Sequence, residues 1–194
     1  MTPSPTRRQV VLLGDSHLAR LSSDAIDRLE RAIGGGATVH DHAFGGANSL
    51  DVLRRAPFEA RATEAVFVLS VGANDLAPWK QVDLRRFTAA VTATLQVLGA
   101  ARVVLLAPLP VDEHRQRRVR GAEARTNALV STYGAVVRGA ASTAGARVLD
   151  LGPHLSAAAD DPFTEDGVHL GEAGTELLLG AIAEVLRDPG TPAP

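Results

Sequence analysis

Five short apolar runs punctuate the chain, at Gln9–Leu13, Ala37–His40, Ala65–Val71, Arg102–Leu106 and Arg147–Leu151. They are rich in Val and Leu, and continuous runs of this length predict strands buried on both faces, as in a parallel sheet. Between them the apolar positions recur every three or four residues, the period of a helix with one buried face. Leu18, Leu21, Ala25, Ile26, Leu29 and Ile33 form the first such series, stopped by Gly34-Gly35-Gly36. Asp83 is the expected N-cap of a second helix, which carries Leu84, Phe87, Val91, Leu95 and Leu98 and ends at Gly99. A third, weaker helix is expected from about Gln116 to Thr143, with Gly121, Gly134 and Gly139 inside it. The last runs from Glu172 to Arg187, with Leu177, Leu178, Ile182, Val185 and Leu186 inward. This strand–helix alternation with short connections predicts a three-layer α/β sandwich around a parallel sheet. The Pro-rich ends, 1–8 and 188–194, read as flexible tails, which leaves 9–187 as a single domain.

Composition narrows the function classes. With 194 residues, 45% hydrophobic and 22% charged, the chain is long and apolar enough to bury a sizeable core. A formal net charge of -2 offers no long-range field for nucleic acid or an anionic membrane. The absence of cysteine excludes a disulfide scaffold, a thiolate zinc site and a cysteine nucleophile. No segment approaches the roughly 20 apolar residues that span a bilayer. The run Val10–Leu13 is shorter than the roughly 7–15 residues of a signal-peptide core, so a cytoplasmic location is expected. Of the twenty basic residues only Lys80 is lysine; with the Ala-rich composition this points to a GC-rich bacterial genome.

Ligands of an open parallel sheet bind beyond the carboxyl ends of the strands. Gly14-Asp15-Ser16-His17 follows the first expected strand, Phe44-Gly45-Gly46-Ala47-Asn48 the second and Gly72-Ala73-Asn74-Asp75 the third. Asp166-Gly167-Val168-His169 precedes the last helix. Together these loops hold a hydroxyl, an imidazole with a carboxylate three residues away, a glycine amide and a side-chain amide, the components of acyl transfer through a serine. Ser16 needs a base to take its proton, and His169 can serve. Asp166 is placed to hold the other ring nitrogen and stabilise the imidazolium. The N–H groups of Ser16 and Gly46 and the amide of Asn74 are candidate oxyanion donors.

In these four blocks the chain resembles the SGNH (GDSL-type) hydrolase superfamily. The blocks are Gly14-Asp15-Ser16, Gly46 (or Gly45), Gly72-Ala73-Asn74-Asp75 and Asp166-Gly167-Val168-His169, in order across most of the chain. The resemblance implies a flavodoxin-like five-stranded sheet of order 2-1-3-4-5. It also implies esterase, lipase, thioesterase or deacetylase activity on a small-molecule ester or thioester, with no metal or cofactor. Two positions depart from the pattern: Asp41 replaces an asparagine often found five residues before the block-two glycine, and His17 replaces the common leucine after the serine. His17 is thereby a candidate pocket residue.

Each feature also has a plainer reading. Ser16 is a good helix N-cap, and Asn74 suits a turn. Asp15 and Asp75 suit loop-amide binding better than proton transfer. His40 and His42 share a strand face, as a metal pair would, but structural histidines are commoner. Arg115, Arg117, Arg118 and Arg120 read as a solvated helix start in preference to an anionic-carrier site. Trp79 either walls an acyl pocket or packs. Short loops and few nearby aromatics, Phe44, Trp79 and Phe163, predict a shallow groove for short acyl groups. The leading function is a serine acyl hydrolase. An acyltransferase shares its first half-reaction, and a catalytically silent binding module is the third reading. Oligomeric state stays open.

Overall fold

The structure, a computed structural model, describes residues 8–34 and 36–187. Five strands form one parallel sheet: β1 (Gln9–Gly14), β2 (Thr38–Asp41), β3 (Ala65–Ser70), β4 (Val103–Leu106) and β5 (Arg147–Leu149), in the order β2-β1-β3-β4-β5. All five expected runs became strands, with ends moved by one or two residues. The helices are α1 (Ser16–Ala19), α2 (Ser23–Ile33), α3 (Ser49–Glu59), α4 (Leu84–Leu98), α5 (Glu113–Arg120), α6 (Asn127–Ala144), α7 (Gly152–Ser156) and α8 (Glu172–Arg187).

The alternation of side chains along each strand divides the interior into two cores. Val10, Leu12, Val68, Val104 and Leu106 face α2 and α8, packing on Leu29, Ile33, Leu178, Ile182 and Leu186. Val11, Leu13, Phe67, Leu69 and Leu105 face α3, α4 and α6, packing on Val52, Phe87, Leu95, Leu98, Tyr133 and Val137. Buried on both sides, the inner strands β1, β3 and β4 carry no polar face, as their apolar sequence required. The layering puts β1 and β3 side by side, with Gly14 in register with Ser70, so their carboxyl ends open at one place. Gly14 has φ +135°, and a Cβ there would lie 2.0 Å from the Ser70 carbonyl oxygen. Only glycine lets the chain leave β1 so close to β3.

The structure departs from the sequence-based expectation in four respects. The first series is broken: α1 ends at Ala19, and Ser22 starts α2 by accepting from the Ala25 N–H at 3.2 Å. Its apolar stripe survives the break, because Leu18, Leu21, Ala25, Leu29 and Ile33 are all buried. The third expected helix is two helices. Gly121, at φ +57°, ends α5, and Thr126 caps α6 through the Leu129 N–H at 3.3 Å. Helix α3 and the short α7 were not expected. Lastly, Arg8 is not tail: its carbonyl accepts from Thr38 N–H at 2.9 Å, and its guanidinium donates to the Leu186 carbonyl. The rest of both expected tails, 1–7 and 188–194, lies outside the described residues.

Candidate active site

The turn leaving β1 places Ser16 at the first position of α1, with Asp15 as its cap. Asp15 is fully buried, and its Oδ1 accepts from the His17 N–H at 3.0 Å and the Ser70 hydroxyl at 2.8 Å. That fixes the turn against β3. From the far end of the chain, the loop before α8 brings His169 Nε2 to 2.9 Å from Ser16 Oγ. His169 Nδ1 lies 2.5 Å from Asp166 Oδ2. The other carboxylate oxygen, Oδ1, accepts from the N–H groups of Val168 at 2.9 Å and His169 at 3.0 Å and from the Thr164 hydroxyl at 2.9 Å. Burial pushes the Asp166 carboxyl upward. The His169 ring, the two amides and the Thr164 hydroxyl outweigh that and hold it well below the usual carboxylate range. Hydroxyl, imidazole and carboxylate thus form one continuous hydrogen-bonded line, able to carry a proton from serine to histidine.

The loops after β2 and β3 are tied together beside this line. Asp75, fully buried, accepts from the Ser49 N–H at 2.9 Å, the Ser49 hydroxyl at 2.6 Å and the Gly72 N–H at 3.1 Å. Burial raises its pKa, and the Ser49 and Gly72 bonds only partly offset this. Asn74 Nδ2 donates to the Ala47 carbonyl at 2.8 Å, so one of its two amide protons remains for a ligand. Gly46 adopts φ +80°, a conformation L side chains rarely take. Among the described residues neither the Ser16 N–H nor the Gly46 N–H donates to a protein acceptor. Ser16, Gly45, Gly46, Asn74, Trp79, Asp166 and His169 all line one cleft of about 490 Å³.

Other expected residues lie elsewhere. His17 does not line the cleft. It is buried at 6% exposure with its ring 6.0 Å from that of His169, and its Nδ1 has no partner among the described residues. Burial, opposed by Asp15 and assisted by the His169 and Arg125 charges, lowers its pKa from the ordinary 6.5. Below that pH the unfolded chain binds a proton that the native ring refuses, so stability falls as pH falls. His17→Leu is therefore expected to flatten the loss of Tm between about pH 7 and pH 5; parallel losses in both proteins would exclude His17 as the cause. Phe44 sits at the edge of the core under Arg55, 5.0 Å from ring centroid to guanidinium, and Phe163 borders a neighbouring groove. His42 is 2.7 Å from buried Glu59, and His40 is 2.7 Å from Gln9 Oε1. Asp41 Oδ1 accepts from the Ala43 N–H at 2.9 Å.

The arginine run divides. Arg115 is no solvated residue: it pairs with Asp161 and Asp112 and donates to the Phe163 and Thr164 carbonyls, anchoring the loop that carries Asp166. Arg117 pairs with Glu113 at 3.1 Å. Arg120 instead turns to Trp79, its guanidinium 4.3 Å from the ring centroid.

The segment after β4 also reaches the cleft, against the sequence-based preference for a solvated helix start there. Gln116 donates to the Asp166 carbonyl at 2.5 Å and accepts from the Arg125 N–H at 3.3 Å. Arg125 lies over Trp79 at 4.6 Å and donates through Nε to the Ala73 carbonyl at 2.8 Å. Arg20, Lys80 and Val119 complete that wall. Only Thr164 carried a sequence signal, a hydroxyl two residues before Asp166 and so in reach of its carboxylate.

Residues 12–177 match the GDSL-like lipase/acylhydrolase family. Among curated proteins none matches the chain. Similar solved structures include a lipase/acylhydrolase from Enterococcus faecalis, with a TM-score of 0.82 and 22% identity over 96% of this chain and 99% of that one. A GDSL-like lipase from Bacteroides thetaiotaomicron has a TM-score of 0.73 and 16% identity, covering 93% of this chain and 88% of its own. An acetyl xylan esterase has a TM-score of 0.73 and 19% identity, covering 91% and 98%.

Proposed function

The chain belongs to the GDSL-like lipase/acylhydrolase family, and from that premise we propose that residues 9–187 form a serine acyl hydrolase working through Ser16, His169 and Asp166. The observation that carries this reading is the 2.9 Å contact between Ser16 Oγ and His169 Nε2, continued at 2.5 Å to Asp166. As His169 takes the hydroxyl proton, Ser16 Oγ bonds to the acyl carbon and the carbonyl oxygen becomes an oxyanion. The Ser16 and Gly46 N–H groups and the free amide proton of Asn74 receive that charge. On collapse the acyl–oxygen bond breaks and His169 returns the proton to the departing alcohol. Water, deprotonated by the same ring, then releases the acid and restores Ser16. The substrate class is a small ester or thioester. The test is burst release of p-nitrophenol from p-nitrophenyl butyrate at a stoichiometry near the enzyme concentration, with the Ser16→Ala protein as blank. Absence of turnover across short-acyl oxygen esters and thioesters would sink the reading.

Asn74 supplies a second test. Asn74→Ala is expected to lower kcat by roughly 10²–10³-fold with little change in KM, because the donor strengthens its bond only as charge develops. The substitution also releases the Ala47 carbonyl, to which Asn74 donates at 2.8 Å. Asn74→Gly removes the donor and the tie to Ala47 together, as alanine does, and is expected to lose kcat to the same extent. Full turnover in Asn74→Gly at equal folded fraction would exclude the Asn74 amide as an oxyanion donor.

A further inference from the structure

Four cationic side chains, Arg20, Lys80, Arg120 and Arg125, line the cleft that holds Ser16. The one carboxylate in that lining, Asp166, is engaged with His169. Among the described residues none of the four cations has a carboxylate within ion-pair distance, whereas Arg28, Arg54, Arg55, Arg115, Arg117 and Arg138 each have at least one. The whole chain carries a formal charge of -2, so this local excess is not a by-product of a basic composition.

The arrangement is also braced. The Arg120 and Arg125 guanidiniums both lie over Trp79, 4.3 and 4.6 Å from its centroid, which offsets part of their repulsion through the ring's electron-rich face. Arg125 is half-buried and spends its Nε proton on the Ala73 carbonyl, the residue before Asn74. Its terminal nitrogens are left for a ligand, in the planar fork that matches carboxylate and phosphate oxygens. Burial, and then the like charge of Arg120, push its pKa below the usual guanidinium value, so an anion arriving here relieves a strain already present. Lys80 Nζ donates to the Gly46 carbonyl at 3.2 Å, which sets a further charge beside the loop that offers the Gly46 N–H.

We propose that the cleft selects esters bearing an anionic group, a phosphate or a carboxylate, close to the scissile bond, with Arg120, Arg125 and Lys80 holding that group. The proposal rests on the acyl-hydrolase reading for its chemistry, but the anion site itself stands on the cation geometry. The group belongs either to the acyl part or to the leaving alcohol. Two matched substrate pairs distinguish these sources: the p-nitrophenyl monoester of adipic acid against its methyl ester, and the phosphate ester of ethylene glycol monobutyrate against the free monobutyrate.

For the pair whose charge sits on the correct side, kcat/KM is expected to favour the anionic member by about tenfold or more, mostly through KM, the size of a charge-assisted contact. Arg120→Glu should abolish or reverse that ratio, and Arg120→Gln should lower it. Arg31→Gln, an exposed arginine on α2, should leave it intact. The preference should also shrink with added salt. Neutral members turned over as well as anionic ones in both pairs would overturn the proposal. Binding is read separately on Ser16→Ala protein, because Trp79 is the chain's single tryptophan and lies against both guanidiniums. Pyrophosphate or adipate should change its emission saturably, against sodium chloride at equal ionic strength. A saturable change without hydrolysis of any ester would sink the acyl-hydrolase reading while the anion site survives. A linear response no different from sodium chloride would overturn the site whatever the enzyme hydrolyses.

Discussion

Replacing Ser16 by alanine is expected to lower kcat by on the order of 10⁴-fold or more while the fold persists. The hydroxyl sits on a half-buried turn whose geometry is set by Asp15, Ser70 and Gly14, none of which hydrogen-bonds to the Ser16 hydroxyl. Its loss therefore removes the nucleophile without loosening the turn. His169→Ala should cost as much, because Ser16 Oγ has its 2.9 Å partner in His169 Nε2 and no attack proceeds while the hydroxyl keeps its proton. The two residues act as a unit, so the double variant should be little worse than either single one. Circular dichroism and a thermal melt establish the folded fraction, and an ester assay gives kcat. More than about a tenth of wild-type turnover in Ser16→Ala would place the nucleophile elsewhere.

Asp166→Asn is expected to cost about 10⁴-fold in kcat with almost no change in shape, through the wrong tautomer of His169. Oδ1 of Asp166 accepts from Val168 N–H, His169 N–H and the Thr164 hydroxyl, and these three donors leave no room for an NH₂ on that side. An asparagine must therefore keep its oxygen there and turn its NH₂ toward His169 Nδ1. That nitrogen must then accept, which moves the ring proton to Nε2 and leaves nothing to take the proton of Ser16. The same donors hold the native carboxyl well below its usual range against the upward push of burial, so Asp166 stays ionised throughout the working pH range. Loss of activity in acid then belongs to protonation of the base, and the acid limb of kcat/KM should show a single inflection. Two acid inflections, or an Asp166→Asn enzyme within about tenfold of wild type, would contradict this account.

The strands were legible because a sheet buried on both faces leaves an uninterrupted apolar run. Val103–Leu106, for example, admits no other reading that fits its length. Helix α3 was not legible in the same way. Only Val52 and Ala56 of its apolar positions are fully buried, Pro57 lies inside it, and Phe58 points outward at 65% exposure. Its start was nevertheless written in the chain, since Asn48 and Asp51 form a capping box. The Ser16, His169 and Asp166 side chains, which the structure brings together, were legible because the proposed chemistry demands particular residue types in loops that follow strands. Gln116 and Arg125 were not, and Arg120 was weighed only within an arginine run read as solvated, because all three belong to the segment after β4, where no such demand fixes the residue type. They meet the other loops only where α5 and the turn after it line the cleft.

The sheet order also governs how one copy of this protein meets another. The outermost strands are β2, four residues long, and β5, three residues long. An approaching chain finds little unpaired backbone on which to build a further strand. Each of these margins also carries polar side chains: His40 and Asp41 are exposed on β2, and Arg147 on β5 folds its guanidinium to the Val185 carbonyl at 2.6 Å. The longest strands, β1 and β3, both almost wholly apolar, are paired on both sides in the interior of the sheet. The protein thus keeps its stickiest segments out of reach of its own copies for as long as it stays folded, and that protection comes from strand order and length instead of from net charge.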